Sequence, residues 1–395
     1  MLKGNSFIGG IILLIAALHS GYALLPVYPS HLLIIVAITT GLMFFIVRTF
    51  NINTRLICFL IFIFVFGYAS AVDSIVNLTA LIKLQLVVIF SYLFVNYLDY
   101  KKFVRLYIYF MLTIASGSLS LYFIANFTNL GIVDRLPIFV NDNGMGYHNG
   151  LFLFLFESEY IQYRNTGFFW EPGIFSSYLS LAILLSGHIK LVRDKVITFI
   201  LTLTIFTTYS TGGYILLILA LMAKYFKGAK GKYFFIMFIS LVLISISAFY
   251  AEFIELVRSY FPEVTNKFFV EGSDSILHRI KSPTINIEAF LKKPFIGLGL
   301  NEVNELYKVK GNFSQSSTMT YYLGAFGFFG IFYSYLILYG TVFSKSIYFR
   351  GLSGTLSFLI MIIILNKEPH MYFCLTYIIL FYWVLEAKIE YKNRG

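Results

Sequence analysis

Charge is the first scarcity. Lys, Arg, Asp and Glu make up 12% of the 395 residues, where soluble domains carry about a quarter. With 58% apolar residues, this excludes a soluble enzyme, and 44 Phe and 30 Tyr exclude a disordered chain. Cysteine is scarcer still. Cys58 and Cys374 each sit inside an apolar run, which excludes a disulfide framework and a thiolate metal cluster and leaves the redox compartment unread.

What the sequence has instead is long apolar runs. They cover residues 7–25, 31–47, 56–72, 78–98, 103–124, 172–189, 196–211, 213–226, 233–250, 318–343, 352–365 and 371–386. A spanning helix takes about 20 residues, and lipid leaves no partner for backbone groups other than the segment's own, so runs without a period of two are helices. The sequence therefore predicts an all-α polytopic integral membrane protein, a single membrane domain over 1–395 with about twelve transmembrane helices, within a range of roughly ten to fourteen. The first run is too long for a signal peptide and has no small-x-small cleavage site after it.

Sidedness follows from the cations. Alternate connections carry Lys3; Arg48 and Arg55; Lys101, Lys102 and Arg105; Lys190, Arg193 and Lys195; Lys224, Lys227, Lys230 and Lys232; Lys345 and Arg350; and Lys388, Lys392 and Arg394. Of the cations on the opposite side, only Lys367 lies in a short loop. Short loops decide orientation, so both termini are predicted to be cytoplasmic. Only Asp99, Asp194, Glu386 and Glu390 accompany the inner cations, and the remaining fifteen carboxylates fall outside. The net charge of +11 is thus an orientation signal and not a nucleic-acid-binding one. Lys83, inside a run but near its outer end, is expected to snorkel to the interface.

Two external loops, 125–171 and 251–317, break the pattern of short connections and are expected to carry the active site. The first contains Asp134, Arg135, Asp142, His148, Glu157, Glu159 and the run Arg164-Asn165-Thr166-Gly167-Phe168-Phe169-Trp170-Glu171-Pro172-Gly173. The second contains Asp274, His278, Arg279, Lys281, an amphipathic stretch 284–292, and Lys292-Lys293-Pro294-Phe295-Ile296-Gly297-Leu298-Gly299.

The R-N-T-G-F-F-W-E-P-G-I-F-S run of Arg164–Ser176 resembles the R-x-x-G-x-F-x-E-P segment of bacterial O-antigen polymerases of the Wzy type. Arg279 through Gly299 is similar to the R…P-x-x-G-x-G segment of the wider polymerase and ligase superfamily. Gly327 and Gly330 in G-A-F-G-F-F-G, and the Ser210-Thr211-Gly212-Gly213 turn, also resemble that superfamily's pattern. Ligases carry an Arg in that turn and a His-Asn pair near Ser316-Ser317; both marks are absent here, which favours polymerase over O-antigen ligase.

The resemblance implies a GT-C-like membrane glycosyltransferase of the bacterial inner membrane. It would transfer a growing glycan from polyprenyl pyrophosphate to a lipid-linked repeat unit on the outer face, with no cofactor and no nucleic acid. Its partners would be the lipid-linked oligosaccharide donor and acceptor, the bilayer and a chain-length regulator. The residues suit that chemistry. A departing pyrophosphate needs cations, and the planar fork of Arg can hold two phosphate oxygens; Arg164 and Arg279 are the candidates, without a metal. The acceptor hydroxyl needs a base. Glu171 is the first candidate and His278 the second. Arg135, Lys281, Trp170, Tyr163, Gly297 and Gly299 are candidates for substrate binding, the aromatic pair by stacking on sugar rings.

Plainer readings stand beside these. Arg164 and Glu171 also fit an interfacial ion pair, Glu171-Pro172 fits ordinary helix-start chemistry, and Arg279 fits a solvated cation. A flippase or transporter of lipid-linked glycan would also have about twelve spans, but such proteins place polar groups at the membrane midplane in matched halves.

Overall fold

A computed structural model describes residues 6–24, 37–43, 75–128, 133–140, 146–150, 152–157, 163–226, 274–311, 315–343, 347–349 and 352–392. The chain is mostly helical. The helices are α1 (Ser6–Leu18), α2 (Ile75–Tyr97), α3 (Tyr100–Phe127), α4 (Pro172–Ser186), α5 (Asp194–Thr207), α6 (Thr211–Tyr225), α7 (Asp274–Lys292), α8 (Leu300–Val309), α9 (Thr318–Phe326), α10 (Gly330–Gly340), α11 (Leu352–Lys367) and α12 (Cys374–Lys392).

Two of them, over Ala80–Tyr97 and Tyr100–Phe127, are long and apolar enough to cross a membrane, and α1, α4, α6, α11 and the first part of α12 are apolar but shorter. Apolar side chains also face outward, among them Phe199 on α5, Ile215 and Ile218 on α6 and Ile331 on α10. These features are consistent with an all-α membrane protein. The expected spans 56–72 and 233–250, and most of 31–47, lie outside the described residues.

Helix α4 is the central post. Every residue from Pro172 to Ser186 is buried, and the helix packs against α3, α5, α6 and α11. Its polar residues do not spoil this, because Ser176, Ser177, Ser180 and Ser186 each return a hydroxyl proton to a carbonyl three or four residues back. Start signals are local. Asp99 caps α3 by accepting from Lys102 N at 3.0 Å, Ser210 caps α6 by accepting from Gly213 N at 3.3 Å, and Pro172 opens α4 where its missing N–H costs nothing.

Three features depart from the sequence reading. The first long loop is not irregular: it folds into a four-stranded antiparallel sheet in the order β1 (Ile138–Val140), β2 (Gly146–Gly150), β3 (Leu153–Glu157) and β4 (Tyr163–Gly167). His148 pairs with Ile138 on one side and Leu155 on the other, and β3 shifts register at Phe154–Leu155 where it meets β4. The second loop carries α7, with Pro283 inside it, and α8, both packed on α9.

The apolar run 318–343 is broken. A 3-10 turn over Gly327–Phe329 separates α9 from α10, with Gly327 at φ +62. The Gly297-Leu298-Gly299 segment lies alongside α9 and its end through backbone bonds: Leu298 N to Gly324 O at 2.9 Å, Gly299 N to Ala325 O at 3.0 Å and Phe328 N to Pro294 O at 2.8 Å.

The sheet sits where α3 ends and α4 begins, with β4 against α3, α4 and α5. Gly167 makes that joint possible. It has φ +58, and a Cβ there would lie 2.5 Å from the Phe175 ring, which is fully buried. Gly167→Ala is expected to destabilise the protein by roughly 2–4 kcal/mol, the combined cost of the left-handed backbone and an overpacked core. Thermal unfolding in detergent measures this; an unchanged midpoint would mean that the ring has room to move.

Candidate functional site

The R-N-T-G run folds as a joint. Arg164 donates from Nε and Nη2 to Thr208 O at 3.1 and 3.0 Å, and from Nη2 to Tyr209 O at 3.0 Å. These carbonyls follow the last residue of α5, where no intrahelical donor remains, and Tyr209 has φ 48. Asn165 donates to Ser118 Oγ and Thr207 Oγ1 and accepts from Gly167 N, so it ties β4 to α3 and α5. Thr166 donates to Phe154 O at 2.8 Å. The guanidinium is thus a cap on a neighbouring helix end, from which Ser210 leads directly into α6.

Glu171 stands at the N-cap of α4 with extended backbone, half-buried, and makes no capping bond to its own helix. Its charge acts on Tyr147, whose hydroxyl is pushed above the usual phenol range by burial first and by Glu171 second. Tyr147 in turn donates to Trp170 O at 2.6 Å.

The residues that meet at the start of α4 come from elsewhere in the chain. Lys367, the last residue of α11, is 6% exposed. Its ammonium donates to Gly173 O at 2.9 Å, Ser210 Oγ at 3.0 Å and Ser176 Oγ at 3.3 Å. Glu368 follows it, also buried, and a Cβ on Gly173 would lie 2.3 Å from Glu368 Oε1 and 3.2 Å from Lys367 Nζ. A Cβ on Gly212 would lie 2.7 Å from Lys367 Cε.

Only two of the eight prolines follow a glutamate, and these two Glu-Pro turns, 171–172 and 368–369, come together here. The entrance to α9 joins them. Ser317 Oγ donates to Asn366 Oδ1 at 2.6 Å, Thr318 Oγ1 donates to Glu368 O at 3.1 Å, and His370 N donates to Thr318 Oγ1 at 2.8 Å. Ser282 of α7 accepts from the amides of Ser316 and Ser317, which anchors the second loop to the same place.

Compared with protein-family models and with curated proteins, the chain matches none.

Glu171, the Ser210–Gly213 turn and Ser316-Ser317, all singled out in the sequence, thus gather at one end of the bundle. The others scatter. Tyr163 is buried at 4% exposure, its ring edge-on to His148 and its backbone held by Asn126, and so presents no face to a sugar. Trp170 is half-buried against Gly21, to whose carbonyl its amide donates. Gly297 and Gly299 have φ +82 and +89 and serve backbone contact with α9.

Arg135 ends a 3-10 turn (Val133–Arg135) and is exposed, as is Lys281. His278 and Arg279 lie on the first turns of α7. His148 contacts Glu157 at 2.8 Å within the sheet. Glu159 and Asp142 lie outside the described residues. Among the described residues no group of three or more His, Cys, Asp or Glu is placed to hold a metal ion.

Lys367 and Glu368 were missed because a lysine ending an apolar run reads as an interfacial cation. The available signal was the second Glu-Pro in a proline-poor chain. Lys83, expected to reach the interface, is half-buried and holds its ammonium over the ring of Tyr372 in the turn between α11 and α12, 4.6 Å from the centroid.

His370, between α11 and α12, is fully buried with Nδ1 at 2.9 Å from Thr376 Oγ1. Burial, then the Lys367 charge, pushes it down to about 3 from 6.5. A depressed histidine contributes stability that is complete above its unfolded value and is lost as pH falls below 6.5 toward about 3. The unfolding midpoint is expected to drop as pH falls from 6.5 toward about 3, and His370→Gln to flatten that drop; an equal drop in the variant would assign it to other groups.

Arg164→Met is expected to lower stability by roughly 2–3 kcal/mol through loss of charge-assisted bonds to two carbonyls, and Arg164→Lys to recover only part of it, since one ammonium cannot reproduce the fork. Thermal unfolding of the two variants measures this; equal midpoints for Met and Arg would contradict a capping role.

Proposed function

We propose that the chain is a membrane-embedded polysaccharide polymerase of the O-antigen type. It transfers a growing glycan from polyprenyl pyrophosphate to a hydroxyl of a lipid-linked repeat unit, on the outer side of a bacterial cytoplasmic membrane. The bond broken joins the anomeric carbon to the phosphate oxygen, and the bond formed joins that carbon to the acceptor oxygen. The acceptor proton goes to a base, and the polyprenyl pyrophosphate leaves with its charge. The observation that carries this reading is the meeting of the Glu171-Pro172-Gly173 turn, the 210–213 turn and the entrance to α9 at one end of the bundle, although they lie far apart in the sequence.

In this reading Glu171 is the base. It is half-buried, heads the central helix, and is not consumed by capping it. Arg279 on α7 receives the pyrophosphate, as the planar fork of Arg suits phosphate oxygens. Arg164 supports the site from behind by holding the chain that leads into α6. The absence of the ligase marks at 211–212 and 316–317 favours the polymerase over the ligase.

One observation favours a second reading, a transporter of lipid-linked glycan. Lys83 of α2 and Tyr372 of the turn before α12 form a cation–π pair, and an ionisable side chain on a membrane-spanning helix is a feature of transport pathways. Purified protein incubated with lipid pyrophosphate-linked repeat units separates the two. The polymerase reading predicts a ladder of longer glycans that persists in chelator. Glu171→Gln and Arg279→Ala are expected to reduce elongation by roughly 10²–10⁴-fold with the protein still folded, the range for loss of an acid–base or charge-stabilising group. No ladder with the correct repeat unit would exclude the enzyme; normal elongation in both variants would displace the site.

A further inference from the structure

We propose that Lys367 is a positioning residue which holds the Glu171-Pro172-Gly173 turn and the Ser210–Gly213 turn in one fixed relation. Its part in the reaction rests on the polymerase reading above; its part in coupling the two helices does not. Helices α4 and α6 both begin at this point, and one group can join their first turns. The ammonium does so: it donates to Gly173 O in α4 at 2.9 Å and to Ser210 Oγ, the cap of α6, at 3.0 Å. Ser176 Oγ of α4 completes the set at 3.3 Å.

Space has been kept for it on both sides. Gly173 leaves room for the Lys367 and Glu368 heads, and Gly212 for the Lys367 stem, whose Cε lies 2.7 Å from the site of a Cβ. A third glycine, Gly213, lets Ser176 approach, with Oγ 2.5 Å from the site of a Cβ. An ammonium beside two helix N-termini meets the positive ends of both macrodipoles, so it is held there by its oxygens and by nearby carboxylate, not by the helices. Glu368 lies against the same glycine, and Glu171 stands two residues before it. Lys367 therefore sets where the Glu171 carboxylate stands relative to the α6 turn without touching a substrate itself.

Hydrogen exchange on the full-length protein in lipid nanodiscs tests the coupling. Lys367→Met removes the ammonium and keeps most of the stem. Gly212→Ala, made only in α6, displaces the stem and serves if the first variant does not fold. In both, amides of residues 173–177 in α4 and 212–215 in α6 are expected to exchange about tenfold faster or more, the scale of losing a charge-assisted hydrogen bond, with α3 unchanged. The double variant is expected to add little to either. Exchange in α4 unchanged in both single variants would overturn the coupling, whether or not the wild type elongates a glycan. If it elongates, kcat is expected to fall about tenfold or more in Lys367→Met while KM for the lipid-linked acceptor stays within about threefold. Elongation at the wild-type rate alongside faster exchange would overturn the positioning role. A wild type that makes no ladder overturns that role together with the polymerase reading and leaves the coupling result standing on exchange alone.

Discussion

An ammonium taken out of water costs several kcal/mol unless oxygen atoms surround it, and the buried end of Lys367 is surrounded by oxygens from two different helices. Much of the local design follows from that demand. Gly173 and Gly212 are small because the lysine and Glu368 occupy the space their side chains would fill. Ser176 and Ser210 are hydroxyls because the ammonium needs acceptors there. The Glu-Pro turn of α4 and the Ser-Thr-Gly-Gly turn of α6 consequently meet the Glu-Pro turn that follows α11. An unpaired polar group in an apolar bundle is costly, so the placement of the ammonium among its three oxygens is tightly specified.

The R-N-T-G run does for the other side of the site what Lys367 does for the centre. Each of its first three residues sends a side chain to a neighbouring element: Arg164 to the end of α5, Asn165 to α3 and α5, Thr166 to β3. Gly167 then turns the chain under the Phe175 ring into the central helix. A motif that looked like substrate-binding chemistry is, in its placed contacts, the brace on which Glu171 is mounted. The two roles are compatible, because a base is effective only when its position is held to a fraction of an ångström.

Punctuation was legible in the sequence and contacts were not. Pro172 and the 210–213 turn announce helix starts by their own backbone chemistry, so those positions were legible without their contacts. The partner of Arg164 was not legible, since the carbonyls of Thr208 and Tyr209 lie 44 and 45 residues away and carry no side-chain signal. The sheet was missed because strands of three to five residues such as Gly146–Gly150 and Leu153–Glu157 are too short to establish alternation. The run 318–343 looked like one span because apolarity continues through Gly327, where only the φ of +62 interrupts the helix. The inward turn of Lys367 was not legible because, near the end of an apolar run, a lysine that reaches water and one that turns inward have the same sequence.

Two polar places inside the bundle point to two different kinds of protein. The Lys367 junction lies where helices begin and end and where both long loops return to the bundle, which suits chemistry on a lipid-held substrate at the membrane surface. The half-buried Lys83–Tyr372 pair joins α2 to the turn before α12, and an ionisable group on a spanning helix would suit a transport path. A structure of the protein in lipid, determined with a non-reactive polyprenyl pyrophosphate-linked oligosaccharide bound, decides between them. A polymerase site at the Lys367 junction predicts the first sugar within hydrogen-bond reach of Glu171 and the pyrophosphate beside Arg279. Sugar density next to Lys83 and Tyr372, with the start of α4 vacant, would contradict it.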